Sequence, residues 1–138
     1  MTPGDAQAWL PFDTPGAVRR FLAHFRPTIG VLMETEVWPN LMNEARLASV
    51  PMVLANARLS DKSLRQGERF SALLRPAAQA LSLTLAQTES DAMRLRRMGA
   101  VSVQVMGNVK FDMTPPPALL ARGRAWRAAS GRPVVLAA

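Results

Sequence analysis

The residues with chemistry to offer fall into short polar clusters, each directly behind an apolar run. Behind Ile29–Met33 stand Glu34-Thr35-Glu36, then Trp38-Pro39-Asn40; behind Pro51–Ala55 stand Asn56-Ala57-Arg58-Leu59-Ser60. Behind Ser82–Ala86 come Gln87-Thr88-Glu89, and behind Ser102–Met106 come Gly107-Asn108-Val109-Lys110-Phe111-Asp112. Glu34 and Glu36 are two apart, so a strand continuing through them would send both carboxylates off one face. There they would accept from hydroxyls or position a base. The purely structural alternative is that one caps the following helix while the other pairs with an arginine. Arg58 and Lys110 are candidate anion contacts, the guanidinium as a fork and the ammonium as a point charge; a salt bridge to Glu34 or Glu36 is the alternative. Asn56, Asn108 and Ser60 fit turns or helix caps as well as ligand contacts. Gly107 reads as a tight turn, Trp38 and the eight methionines as core, and His24 as a surface side chain.

Positioning these clusters takes alternating strands and helices. The apolar runs Ala8–Leu10, Ile29–Met33, Pro51–Ala55, Ser82–Ala86, Ser102–Met106 and Pro133–Ala137 read as strands buried on both faces, as in a parallel sheet. Helical spacing predicts helices over Gly16–Arg26 and Trp38–Ser49, the second with Pro39 at its first turn. It predicts one helix over Asp61–Leu81, or two broken at Pro76. Another is predicted over Thr88–Met98, with Thr88 or Ser90 as N-cap and Gly99 as its stop, and a last one over Ala118–Ala128. The alternation implies an α/β fold with a mainly parallel, doubly wound, Rossmann-like sheet. Ligands of such sheets bind beyond the carboxyl ends of the strands, so parallel strands would bring all four clusters to one rim.

Composition narrows the chemistry. The 138 residues are 49% apolar and 20% charged, a globular balance, and they contain no cysteine. That excludes disulfides, thiolate metal sites and a cysteine nucleophile. One histidine argues against a serine–histidine triad or a multi-histidine metal centre. No apolar run reaches the ~20 residues of a membrane-spanning helix. The net charge of +7 suits an anionic partner, but the basic residues are dispersed and 15 of the 17 are arginine, the pattern of G- and C-rich coding. With few aromatics and no stacking motif, nucleic acid is not expected as a partner. Neither a G-x-G-x-x-G turn nor a phosphate loop is present, so no nucleotide cofactor is expected, nor a metal.

The blocks Leu10-Pro11-Phe12-Asp13-Thr14-Pro15, Met33-Glu34-Thr35-Glu36-Val37-Trp38-Pro39-Asn40, Asn56-Ala57-Arg58-Leu59-Ser60, Ala86-Gln87-Thr88-Glu89, Gly107–Asp112 and Arg132–Ala138 resemble, in order and near spacing, the 3-deoxy-D-manno-octulosonic acid (Kdo) transferases. The resemblance runs from about Ala8 to Ala138. Gln66-Gly67-Glu68-Arg69-Phe70 departs from it, since many members have a tyrosine there and this chain has none. The resemblance implies a GT-B glycosyltransferase, two Rossmann-like domains across a cleft, without a metal. It implies transfer of Kdo from CMP-Kdo to a lipid A precursor at the cytoplasmic face of the bacterial inner membrane. Residues 1–114 would be a partial acceptor-side domain, and 115–138 the linker, helix and first strand of a donor-side domain. The catalytic glutamate would lie before Met1 and the donor motif after Ala138, so the isolated chain is expected to be inactive and a bare strand at Val134–Ala138 to be sticky. Glu34, Thr35, Glu36, Asn40, Asn56, Arg58, Ser60 and Lys110 are the expected substrate contacts. A basic amphipathic helix over Gly16–Arg26 offers a face to anionic headgroups, or packs on the sheet. The competing reading is a stand-alone α/β module that binds a phosphorylated sugar or glycolipid.

Overall fold

The structure, a computed structural model, describes residues 5–112 and 115–133; side chains are described through Lys110 and from Pro115. The chain divides into two compact units between Asn108 and Val109. In the first, α1 (Pro15–Phe25), β1 (Gly30–Met33), α2 (Pro39–Leu47), β2 (Met52–Ala57), α3 (Asp61–Arg69), α4 (Ser71–Gln79), β3 (Leu83–Ala86), α5 (Glu89–Met98) and β4 (Val103–Val105) follow in order. The second holds a 3-10 turn over Val109–Asp112 and α6 (Pro117–Ala129).

The sheet has the order β1-β2-β3-β4, and every pairing is parallel. Right-handed crossovers along a monotonic strand order put successive helices on one face. Their contacts agree: α1 packs on α2, α2 on α4, and α4 and α3 on α5. Within the first unit the second helical layer of a doubly wound sheet is therefore not formed. On β1 the alternation follows suit, with Val31 and Met33 exposed and Leu32 turned toward the helices.

The core lies between sheet and helix layer. Val18 and Leu22 from α1, Leu41, Met42 and Ala45 from α2, Leu54 and Ala86 from the sheet, and Ala92 and Leu95 from α5 are all buried. Spacing of three and four on each helix brings them to one stripe. Arg19 Nε donates to the buried Glu44 carboxylate at 3.2 Å, which adds a charge pair to the apolar packing of α1 on α2.

Several expectations need correcting. Ala8–Leu10 forms no strand; Trp9 and Leu10 are exposed. The 61–81 region is two helices, but they part at Phe70, and Pro76 sits inside α4. A single helix there would run roughly 30 Å, well past the roughly 20 Å of the six-residue β2, so the chain must turn earlier. Trp38 is exposed rather than core, and its indole bonds to Glu36. Of the methionines, Met42 and Met52 are buried, whereas Met33, Met93 and Met106 are exposed. The strand expected over 133–137 lies outside the described residues apart from Pro133, which is irregular.

Candidate functional site

With all strands parallel, the four polar clusters do leave from one edge of the sheet. Backbone hydrogen bonds lace them together past the strand ends. Glu34 N–H donates to Ala55 O at 2.9 Å, Arg58 N–H to Glu34 O at 3.3 Å, Gln87 N–H to Ala57 O at 2.9 Å, and Met106 N–H to Ala86 O at 2.9 Å. Two amide side chains extend the lacing: Gln87 Nε2 donates to Asn56 O at 2.9 Å, and Asn108 Nδ2 donates to Gln87 Oε1 at 3.2 Å. The rim is thus a row running from Glu34 through Arg58 and Gln87 to Asn108.

Glu34 and Glu36 do not share a strand face. β1 ends at Met33, and Glu34 adopts a left-handed backbone (φ 59°), which breaks the period-two alternation. The carboxylates go separate ways: Glu34 Oε2 lies 3.4 Å from Arg58 Nη2, while Glu36 Oε2 accepts from Trp38 Nε1 at 2.7 Å. Arg58 thus makes the salt bridge to Glu34 that is the structural alternative to an anion contact. Helix capping falls to neither glutamate. Asp13, ahead of α1, accepts from the Asn40 and Leu41 N–H groups at 3.0 and 2.8 Å and so caps α2. Asn40 Nδ2 returns a bond to Asp13 O at 2.7 Å.

The remaining candidates are placed as follows. Thr35 is exposed beside Glu34. Asn56 is buried, with φ 51°, where the β2–β3 register shifts between Leu54 and Ala57; such a bulge re-aims the strand end. Ser60 caps α3, its Oγ accepting from Ser63 N–H at 3.1 Å. Gly107 turns with φ 87°, as its position suggested. Lys110 is exposed in the 3-10 turn of the second unit.

Asp91 and Arg94 escaped the sequence reading, yet they fix the loop that carries Arg58. Asp91 Oδ1 accepts from Leu59 N–H at 2.9 Å, and Arg94 Nε donates to Leu59 O. Both polar groups of Leu59 are thereby held by α5. Asp91 also bonds the Thr88 hydroxyl and lies 3.1 Å from Arg94 Nη2. Burial by itself would raise the Asp91 pKa, but the bonds from Thr88, Leu59 and Arg94 outweigh it and hold the carboxyl below its ordinary value. The signal was partly visible, because Thr88-x-x-Asp91 is a capping-box spacing with Asp in place of Glu. Asp13 had no local signal, since its partners stand 27 and 28 residues away. Among the described residues no group of three histidine, aspartate or glutamate side chains is arranged to hold a metal ion, and no helix is long and apolar enough to cross a membrane.

Residues 1–113 match the family model described as 3-deoxy-D-manno-octulosonic-acid transferase. Over 129 residues the chain is 52% identical to a 3-deoxy-D-manno-octulosonic acid transferase of Bordetella pertussis, which covers 94% of this chain and 30% of that protein. It is 34% identical over 114 residues to the enzyme of the same name from Haemophilus influenzae, covering 81% of this chain and 27% of that one. A bifunctional glycosyltransferase/methyltransferase of Fusobacterium nucleatum is 31% identical over 108 residues, 77% of this chain and 17% of its own length. The chain thus spans less than a third of the length of these relatives.

Proposed function

This chain belongs to the 3-deoxy-D-manno-octulosonic acid transferase family, and from that premise we propose that its rim is the acceptor-facing edge of a glycosyltransferase. The reaction moves Kdo from CMP-Kdo to a lipid A precursor. A C–O bond forms between the Kdo anomeric carbon and an acceptor hydroxyl, the bond to the CMP phosphate breaks, and the hydroxyl proton passes to a base. The reading places this at the cytoplasmic face of the inner membrane, with residues 1–114 on the acceptor side and 115–138 opening the donor side.

The observation that carries the reading is the lacing of four strand ends into one row that presents Glu34, Thr35 and Arg58. Sugar transfer depends first on holding a hydroxyl and a leaving group in register. Glu34 accepts from hydroxyls. Arg58 forks onto a carboxylate or phosphate, groups that both substrates carry. Their mutual ion pair is solvent-exposed and weak, so a substrate can part it at small cost. Glu36, Thr35, Asn40, Asn56 and Ser60 line or brace the same edge; Lys110, in the second unit, keeps its separate reading as a contact for an anionic group.

The test is a chimera in which this chain replaces the matching stretch of the Bordetella pertussis relative, assayed for Kdo transfer to a lipid A precursor. The unaltered chimera is expected to be active, and Glu34→Gln or Arg58→Ala to lower kcat/KM at least tenfold. Activity unchanged in both variants would remove the rim from the reaction.

A further inference from the structure

Beneath the Glu34–Arg58 pair the first unit holds a cavity of about 150 Å³ that the rim chemistry does not use. Its mouth is formed by Glu34, Thr35, Arg58 and Ser63. Its interior is Leu54 of β2, Gly67 of α3, Ala78 and Leu81 at the end of α4, Leu95 of α5, and Ala100. All six of these interior residues are buried. Gly67 makes room for Met98, which also lines the cavity. A β-carbon there would come within 2.4 Å of Met98 Cε and drive that side chain out of its seat beside the cavity.

An apolar hollow of this size gives water few partners, yet it admits a ring or a chain of about six carbons. It is too small for a whole ligand, since complete small-molecule pockets run about 300–1,000 Å³. The mouth differs from the interior: a carboxylate, a guanidinium and two hydroxyls suit a head rich in hydroxyl groups. We infer that the cavity is a binding slot for the short alkyl end of an amphiphile, whose hydroxyl-bearing head stays on the rim. The head's position rests on the function proposed above; the slot rests on the cavity alone.

Titration of the isotope-labelled chain with 1-hexanol, hexyl β-glucoside and glucose, followed by NMR, tests the slot. Both alkyl probes are expected to give saturable shifts at Leu54, Ala78 and Leu95, and glucose none at these residues. Ala78→Leu fills the slot and is expected to weaken hexanol binding at least tenfold. Ala100→Val is the second filling variant should the first not fold, and the map on the unaltered chain decides if neither does. No saturable shift at these residues overturns the slot, as do shifts confined to α1, α2 or α6, or undiminished binding in a folded filled variant. The chimera assay involves none of these probes, so the slot and the rim can fail independently.

Discussion

At the residue scale, a few side chains do the positioning, and Asp91 is the clearest. It receives three donors while nearly shielded from water, so its charge is committed to the fold. Its carboxyl is held below the ordinary value of 3.8. A carboxyl depressed in the folded state contributes its full stability above the unfolded pKa and loses it as pH falls through the folded one. Urea unfolding is therefore expected to show stability dropping below about pH 4, with part of that drop missing in Asp91→Asn. The same variant is expected to cost about 1–3 kcal/mol at neutral pH, because Arg94 and Leu59 N–H lose a charged acceptor. A pH profile identical in the two proteins would show that another group governs acid unfolding. Glu34 and Arg58, by contrast, form an exposed pair in the class worth ~0–1 kcal/mol, so they remain available to a ligand.

At the element scale, helix ends are fastened in more than one way. α5 begins with Thr88 as its own cap and stops at Gly99, whose φ of 124° excludes most side chains; a β-carbon there would also crowd Arg75, 3.0 Å from its Cγ. α2 has Trp38 at its N-cap position, a side chain that makes no capping bond. Asp13 supplies that cap from the far end of α1, and its negative charge sits favourably at the helix N-terminus. Asp13→Ala is expected to cost about 1–2 kcal/mol in thermal or urea unfolding, with Asp13→Asn losing less, since one amide oxygen still accepts. Equal losses in both would place the effect in charge rather than capping. The two helices between β2 and β3 show what length matching does. Propensity allows one long helix there, but the short strands do not.

At the scale of the whole molecule, the first unit lays one helical layer on one face of a four-stranded parallel sheet. The two faces differ in what substitution costs. Leu54, 1% exposed under the helices, is expected to lose about 2–5 kcal/mol as Leu54→Ala. Val31, 56% exposed on the other face, is expected to change stability by no more than about 0.5 kcal/mol as Val31→Thr. Denaturant midpoints for the pair check the asymmetry, and a large loss at Val31 would mean that its face is covered in solution.

The alternation of apolar runs and helical stripes was enough, by itself, to specify a parallel α/β sheet, because period and burial are written locally in each segment. The same apolar runs placed the polar clusters behind the right strands. Tertiary structure alone decided what those clusters do to one another. A strand continuing through Glu34 and Glu36 was allowed by their spacing; the left-handed turn at Glu34, stitched to β2, sends them to Arg58 and Trp38 instead. The capping of α2 by Asp13 and the anchoring of Leu59 by Asp91 and Arg94 join residues 27 to 35 positions apart. Such pairs carry no local periodicity, since they exist only once the chain has folded and brought the two segments together.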